Sequence, residues 1–413
     1  MPISERRTFG FYIGRVIIYA LLTGFAFFML FPFLYMVSTS LKNSEDTFTF
    51  PPRLIPFSPI QREVNGELVT LYHFEIDGIA RELAPVQGER VRFGFFSTVE
   101  QLNADAPRQS PIIAQMPLDE VTATGETVAV TKSDGTSETF ELYTVTMDGK
   151  TEQLALAYRG ALDKFVDPED PSIFVYANER TAQRSEFVEF QFQNYNAVFG
   201  LRLDRALVNT TLVTVLVVAG QLVTSIFGGY AFSRVEFRGR DTLFLVYLGS
   251  IMIPFVVLII PIYRLMVVLD WQNRIVSLIV PWIFTAYGTF LMRQFFISIP
   301  KELEEAALLD GASRFRILWG LFVPLSTPAI ATLAIFSFLY AWNSFLWPLL
   351  IIGEGNVDNH VLTLALIRLS NTFADKPNMV LTGAAIAILP PVLVFVFAQR
   401  YFIQGIATSG LKG

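Results

Sequence analysis

The feature that most constrains this chain is a set of apolar runs long enough to cross a lipid bilayer. Six segments qualify, at about Gly14–Val37, Leu207–Phe232, Thr242–Val268, Val276–Phe296, Leu325–Ile352 and Val380–Phe402. Crossing the hydrocarbon core takes about 20 mostly apolar residues, and only a helix or a closed barrel satisfies its own backbone there. The runs reach the length of a spanning helix, so the pattern predicts an all-α polytopic membrane protein with six transmembrane helices. Prolines lie within or near most of these segments, at Pro32, Pro254, Pro261, Pro281, Pro328, Pro348, Pro390 and Pro391. Neighbouring helices re-satisfy the carbonyls that such prolines free. The run from Val16 to Val37 is too long for a signal-peptide core and reads as a retained anchor.

Lysine and arginine set the orientation, because they accumulate in short cytoplasmic loops. One set of ends carries Arg6, Arg7 and Arg15, then Arg234, Arg238 and Arg240, then Arg293, Lys301, Arg314 and Arg316, then Arg400 and Lys412. The opposite loops carry Arg274 beside Asp270, and Arg368 and Lys376 among Glu354, Asp358 and Asp375. Both termini are therefore expected in the cytoplasm, with the chain embedded in lipid.

Between the first and second segments lies different material. Residues 43–200 hold 25 Asp and Glu against 12 Lys and Arg, a net of -13, whereas the remainder is net +7. The expected organisation is 1–42 as N-terminus and first helix, 43–200 as an acidic extracytoplasmic insert, and 201–413 as a five-helix core. Within the insert, alternation over 127–131, 140–147 and 153–158 is broken by Ser133-Asp134-Gly135-Thr136 and Asp148-Gly149. That is the pattern of β-hairpins, so the insert is expected to be β-rich, with an extended linker through Pro51, Pro52, Pro56 and Pro59. Its acidity argues against nucleic acid as a partner. The chain has no cysteine, which removes disulfide and thiolate chemistry. Its two histidines, His73 and His360, are too few for a metal site.

One polar stretch interrupts the membrane pattern on the basic side: Glu302-Leu303-Glu304-Glu305-Ala306-Ala307-Leu308-Leu309-Asp310-Gly311-Ala312-Ser313. Pro300 suits the start of a helix, and glutamates in its first turn oppose the helix dipole. Asp310-Gly311 ends that helix, and Ser313 is placed to cap a second short one. The expected product is a stubby helix-turn-helix in the cytoplasm, with Ala306 and Ala307 small enough to let a partner surface approach. The alternative is an ordinary solvated amphipathic turn.

Glu305-Ala306-Ala307, three residues, Gly311, nine residues and Leu321-Phe322-Val323-Pro324 together resemble the coupling signature of binding-protein-dependent ABC importer permeases. Leu321 and Val323 are conservative departures. Arg293-Gln294-Phe295-Phe296 with Ile299-Pro300 resembles the approach to that loop, and Trp342-Asn343-Ser344-Phe345-Leu346-Trp347-Pro348 resembles the fifth helix of the carbohydrate branch. The tail from Ser409 through Gly410, Leu411, Lys412 and Gly413 resembles the end of maltose-type permeases. The similarity covers 201–413 well and the first helix loosely, and it omits the insert, where members of this branch have a short loop.

The resemblance implies a second permease subunit, two ATPase subunits that bind ATP and Mg, and an extracytoplasmic solute-binding protein. It implies that Glu305, Ala306, Ala307, Asp310, Gly311 and Pro324 engage an ATPase, and that Gly410–Gly413 reach into the ATPase dimer. It also implies a carbohydrate cargo such as maltose, trehalose or a related oligosaccharide, with glycerol phosphate or another small polar solute as the alternative. Asn209, Tyr340, Trp342, Asn343 and Trp347 are of types that bind sugars, though interfacial anchoring also explains tryptophan at such positions.

No nucleotide site is expected in the chain itself. Gly149-Lys150-Thr151 mimics a phosphate loop, yet that pattern needs glycine where Thr144 stands. An ion-coupled carrier usually keeps ionisable residues within its helices, and the middles of these segments are almost free of Asp and Glu; Arg264 is the main charge among them. A membrane-anchored receptor would need only one or two helices. No catalytic constellation appears, so the chain reads as a transport subunit without enzymatic activity, cofactor or metal of its own.

Overall fold

The computed structural model describes residues 9–64, 66–147 and 149–409. The chain divides into two compact units, Met1–Pro56 with Phe190–Gly413, and Phe57–Glu189. The first is helical: α1 (Phe9–Ser40), α2 (Gln193–Phe199), α3 (Leu203–Arg234), α4 (Arg240–Gly249), α5 (Phe255–Val268), α6 (Ala286–Ser298), α7 (Lys301–Leu309), α8 (Arg314–Ile317), α9 (Val323–Leu325), α10 (Thr327–Trp342), α11 (Leu346–Ile351), α12 (Leu362–Thr372) and α13 (Pro377–Ser409).

Among the described residues, four stretches are long and apolar enough to cross a membrane: Gly14–Ser40, Leu203–Arg234, Ile275–Ser298 and Pro377–Gln399. Two bent pairs, Arg240–Met252 with Phe255–Val268 (99°) and Arg314–Leu325 with Thr327–Trp342 (80°), raise the count to six if each pair is one span. Phe25, Phe28 and Leu21 on α1 are exposed along with most of its apolar length. A surface of that kind needs lipid or protein against it.

Three of the expected helices differ from the sequence pattern, and proline is the common cause. A proline lacks an N–H and its ring strikes the carbonyl four residues earlier. Pro254 separates α4 from α5. Pro281 leaves residues 275–282 as two tight 3-10 turns ahead of α6. Pro348 ends the expected single run Leu325–Ile352 at Trp342, and α11 starts afresh at Leu346.

The carbonyls four residues before Pro281, Pro348 and Pro328 find side-chain donors. Trp347 Nε1 donates to the Ser277 carbonyl at 2.9 Å, four residues before Pro281. Thr363 Oγ1 donates to the Ser344 carbonyl at 2.7 Å, four residues before Pro348. Thr327 Oγ1 donates to the Pro324 carbonyl at 2.7 Å, four residues before Pro328. The last carbonyls of α1 are met in the same way. Asn194 Nδ2 donates to the Ser40 and Lys42 carbonyls, each at 2.9 Å, while Asn378 and Thr382 of α13 add bonds of 3.1 Å to Lys42 and Ser40.

α3 and α6 cross through small residues, as membrane helices do where packing rather than water drives association. A methyl group on Gly229 would meet the Met292 Cβ at 2.6 Å, and one on Gly220 would meet Ile283 at 2.5 Å. Around this crossing, Ile226, Tyr230, Met292, Phe296, Ile317 and Phe322 form one buried cluster.

The second unit is antiparallel β: β1 (Phe57–Pro59), β2 (Gln61–Val64), β3 (Glu67–Thr70), β4 (Tyr72–Ile76), β5 (Ile79–Ser97), β6 (Ala114–Pro117), β7 (Thr122–Thr131), β8 (Ser137–Met147), β9 (Lys150–Val166), β10 (Phe174–Ala177), β11 (Gln183–Arg184) and β12 (Glu186–Val188). Its main sheet runs β11-β4-β5-β9-β8-β7, with β10 on β9 and β6 on β5. Alternate residues of the long strands bury Phe96, Val145, Leu154 and Leu156 together. β1 pairs with β12 through Phe57 and Val188, so the unit starts and finishes side by side.

The flanks 43–56 and 190–200 belong to the helical unit, although their composition groups them with the acidic insert. Lys42 and Arg53 both reach Asp46, at 3.7 and 2.6 Å, and Asp46 is buried. Pro51, Pro52 and Pro56 therefore lie in a segment held by ion pairs, and Pro59 is in a strand.

Candidate functional site

α7 begins after Pro300, with Glu302 and Glu304 in its first turn. It ends in a tight cap: the N–H groups of Asp310, Gly311 and Ala312 donate to the carbonyls of Ala306, Leu308 and Ala307 at 3.0 Å each. Gly311 sits at φ +77, a left-handed conformation that glycine adopts without strain. Ser313 then caps α8 by accepting from the Arg316 N–H at 3.3 Å. The chain continues through a wide π turn, 318–322, and α9, which carries Pro324, into α10.

The two faces of α7 have opposite characters. Glu305, Ala306, Leu308, Leu309 and Asp310 are exposed, Leu309 by 89%. Ala307 is half-buried and Glu304 is buried. The Arg234 guanidinium lies 3.6 Å from Glu304, and the Tyr230 hydroxyl donates to Glu304 at 3.2 Å. Arg234 also donates to the carbonyls of Phe296 and Ile299, and stacks over the Phe322 ring at 5.0 Å. One side chain thus ties the end of α3 to the end of α6, to α7 and to the π turn. Arg293 repeats the device one turn earlier, donating to the Phe232 carbonyl at 3.1 Å and stacking on Phe244. The loop thus has an apolar and acidic outer surface and a charged root buried in the helices.

Sequence reasoning singled out Glu305 and missed the Glu304–Arg234 pair. A signal existed: Arg234 closes an apolar run just where α3 ends, and two adjacent glutamates on a helix point about 100° apart, so Glu304 can turn to the helices while Glu305 faces away from them.

Of the five residues expected along a pathway, Tyr340, Trp342 and Trp347 border one cleft, and Asn209 and Asn343 lie outside its lining. Asn209 is buried and donates to the Asp358 and His360 carbonyls at 2.8 and 2.9 Å. Trp342 is buried and donates to the Ala387 carbonyl at 3.2 Å. Trp347 is buried and secures Ser277, so both tryptophans are pegs inside the bundle instead of anchors at its surface. Tyr340 and Asn343 are exposed, with Asn343 bonded to the Leu339 carbonyl at 2.9 Å. Trp282 borders the same cleft, which has about 20 Å³ of free volume, room for about one water. Gln221 was missed: it donates to the Trp282 carbonyl at 2.8 Å and accepts from Ser337, making a polar node between α3 and α10. Arg264 is exposed. The tail Gly410–Gly413 lies outside the described residues.

The family of binding-protein-dependent transport system inner membrane components matches residues 221–408. The arabinooligosaccharides transport system permease protein AraQ of Halalkalibacterium halodurans is 35% identical over 205 residues, covering 50% of this chain and 73% of that protein. The chain belongs to this family. The sn-glycerol-3-phosphate transport system permease protein UgpE of Rhizobium meliloti is 36% identical over 213 residues, covering 51% of this chain and 75% of that protein. Among solved structures, a bacterial ABC transporter involved in the import of the acidic polysaccharide alginate matches with TM-score 0.46 and 24% identity, over 52% of this chain and 81% of that chain. As an inner-membrane component of a binding-protein-dependent system, the chain is a transport subunit, and the loop 301–324 lies within the matched region.

Proposed function

We propose that this chain is a permease subunit of an ATP-driven importer that moves a carbohydrate across the inner membrane of a prokaryote. The observation that carries the reading is the lever at 301–324: an exposed Glu305-Ala306 surface backed by half-buried Ala307, a left-handed Gly311 turn and a buried Glu304–Arg234 root. Such a lever transmits a push to the helices that hold its root. Each bent helix pair then counts as one of six spans, both termini are cytoplasmic, and the β-rich unit is extracytoplasmic. The chain works with a second permease, two ATPase subunits that bind ATP and Mg, and an extracytoplasmic solute-binding protein. Movement of the ATPases against α7 switches the cavity between inward and outward access. Glu305, Ala306, Ala307, Asp310, Gly311 and Pro324 form the docking surface, and Gly410–Gly413 extend it.

Maltose, trehalose or a related oligosaccharide is the cargo that the fifth-helix resemblance favours, and the arabinooligosaccharide relative supports a sugar. The glycerol-phosphate relatives favour a second reading, with a small phosphorylated polyol as cargo. Uptake of labelled sugars and of sn-glycerol 3-phosphate by cells with and without the gene distinguishes the two. Purification through a tag on this chain is expected to bring down an ATPase, and repeated recovery without one contradicts the importer reading.

A further inference from the structure

Between α11 and α12 the helical unit forms a half-open cavity of about 310 Å³, bordered by buried His360, half-buried Arg368, exposed Glu354, Asn371 and Thr372, and apolar Leu349, Leu364 and Ile367. Its volume is at the lower end of the roughly 300–1,000 Å³ of small-molecule pockets. Two features distinguish it from an ordinary gap between helices. His360 is only 2% exposed, yet neither ring nitrogen makes a well-formed hydrogen bond, although the Gly353 and Glu354 carbonyls face the ring. The Arg368 Nη1 is likewise buried and without a hydrogen bond. Burying polar groups unmet is costly, so folded proteins rarely retain them without a purpose.

The character of the wall narrows what fits. Glu354 and Arg368 carry opposite charges, so an anion meets the carboxylate and a cation meets the guanidinium. Burial lowers the tendency of His360 to take up a proton, and the neutral ring offers one donor and one acceptor. Asn371 offers both. Thr372 Oγ1 donates to the Arg368 carbonyl at 2.8 Å and keeps its lone pairs for acceptance. Groups that donate and accept at once, set between a lone donor and a lone acceptor, match hydroxyls, each of which also does both.

We infer that this cavity takes one ring of an uncharged, hydroxyl-rich sugar, held by Arg368, Glu354 and His360. The inference rests on the reading of the chain as a solute permease and adds direct contact between this subunit and its cargo.

The chain has no cysteine, so Ile367→Cys, at an apolar position on the cavity's border, supplies its single thiol in the assembled transporter in lipid nanodiscs. The maleimide labelling rate is read with arabinose, maltose and trehalose, and with galacturonate and sn-glycerol 3-phosphate as charged probes. At least one neutral sugar is expected to slow labelling about tenfold, the fall in free sites at roughly ten times Kd. The charged probes are expected to leave the rate unchanged, and either Arg368→Gln or His360→Leu is expected to remove the protection. Protection by the charged probes alone, protection by none of the five, or protection that survives both substitutions overturns the assignment. Sugar-stimulated ATP hydrolysis in the same particles separates this from the importer reading: stimulation without protection contradicts only the cavity, and protection without stimulation supports the cavity while contradicting ATP coupling.

Discussion

Arg234 shows how one side chain joins three helix ends. Its charge is buried against Glu304, and removing one partner of such a pair leaves the other uncompensated, at a cost of about 3–5 kcal/mol. Arg234→Met is expected to lower the thermal stability of the detergent-purified protein by an amount of that order, and the double variant Arg234→Met/Glu304→Met to recover the part due to the uncompensated carboxylate, but not that of the Phe296 and Ile299 carbonyl bonds. A double variant no more stable than the single would mean that packing, and not the pair, sets the cost. His360 supports a pH prediction. Burial holds its imidazole below the ordinary histidine pKa, while the unfolded chain takes up a proton near 6.5. The unfolded state therefore binds more protons as pH falls through 6.5 towards the folded value, and stability is lost in that direction and is constant above it. The slope is at most about 1.4 kcal/mol per pH unit for one proton. Melting His360→Leu beside the parent from pH 7.5 to 5 should give a shallower acid loss; parallel curves would assign that loss to other groups.

At the scale of elements, the lever depends on the turn at Gly311. A methyl group there has open space around it, so Gly311→Ala costs only the left-handed strain of about 1–2 kcal/mol. Proline cannot reach φ +77, so Gly311→Pro must rebuild the turn. The expected order of ATP-dependent uptake is parent, alanine a little lower, proline abolished, with membrane insertion equal in all three. Normal uptake by the proline variant would remove the lever from the mechanism. This turn was legible in the sequence because its chemistry is local: Pro300, Asp310-Gly311 and Ser313 each act on neighbours within four residues. The apolar runs and the hairpin alternation of 127–147 were legible for the same reason. The helix breaks were not. Pro254, Pro281 and Pro348 are visible, but whether a proline bends or breaks a helix depends on donors far along the chain, such as Trp347 for Ser277 and Thr363 for Ser344. Nor does a sequence reveal that Asn209, Trp342 and Trp347 point inward, since facing a carbonyl on another helix leaves no periodic trace.

At the scale of the molecule, a helical unit rich in exposed apolar residues is interrupted by an acidic β unit whose two ends are paired strands. Because Phe57 and Val188 are neighbours, a short Gly-Ser linker replacing 57–189 spans the gap, and the helical unit is expected to insert and melt as the parent does, as excision at adjacent ends generally permits. Loss of insertion would mean that the β unit takes part in folding the helices. In the proposed importer, α7 is the contact through which an ATP-hydrolysing neighbour drives the membrane helices. Leu309, 89% exposed at the tip of α7, is the position to test. In a chain without native cysteine, Leu309→Cys carrying a short thiol crosslinker should capture the ATPase subunit in membranes, with a yield that changes when nucleotide is added. Labelling of that cysteine by an impermeant reagent from outside the cell, with no ATPase ever captured, would contradict it.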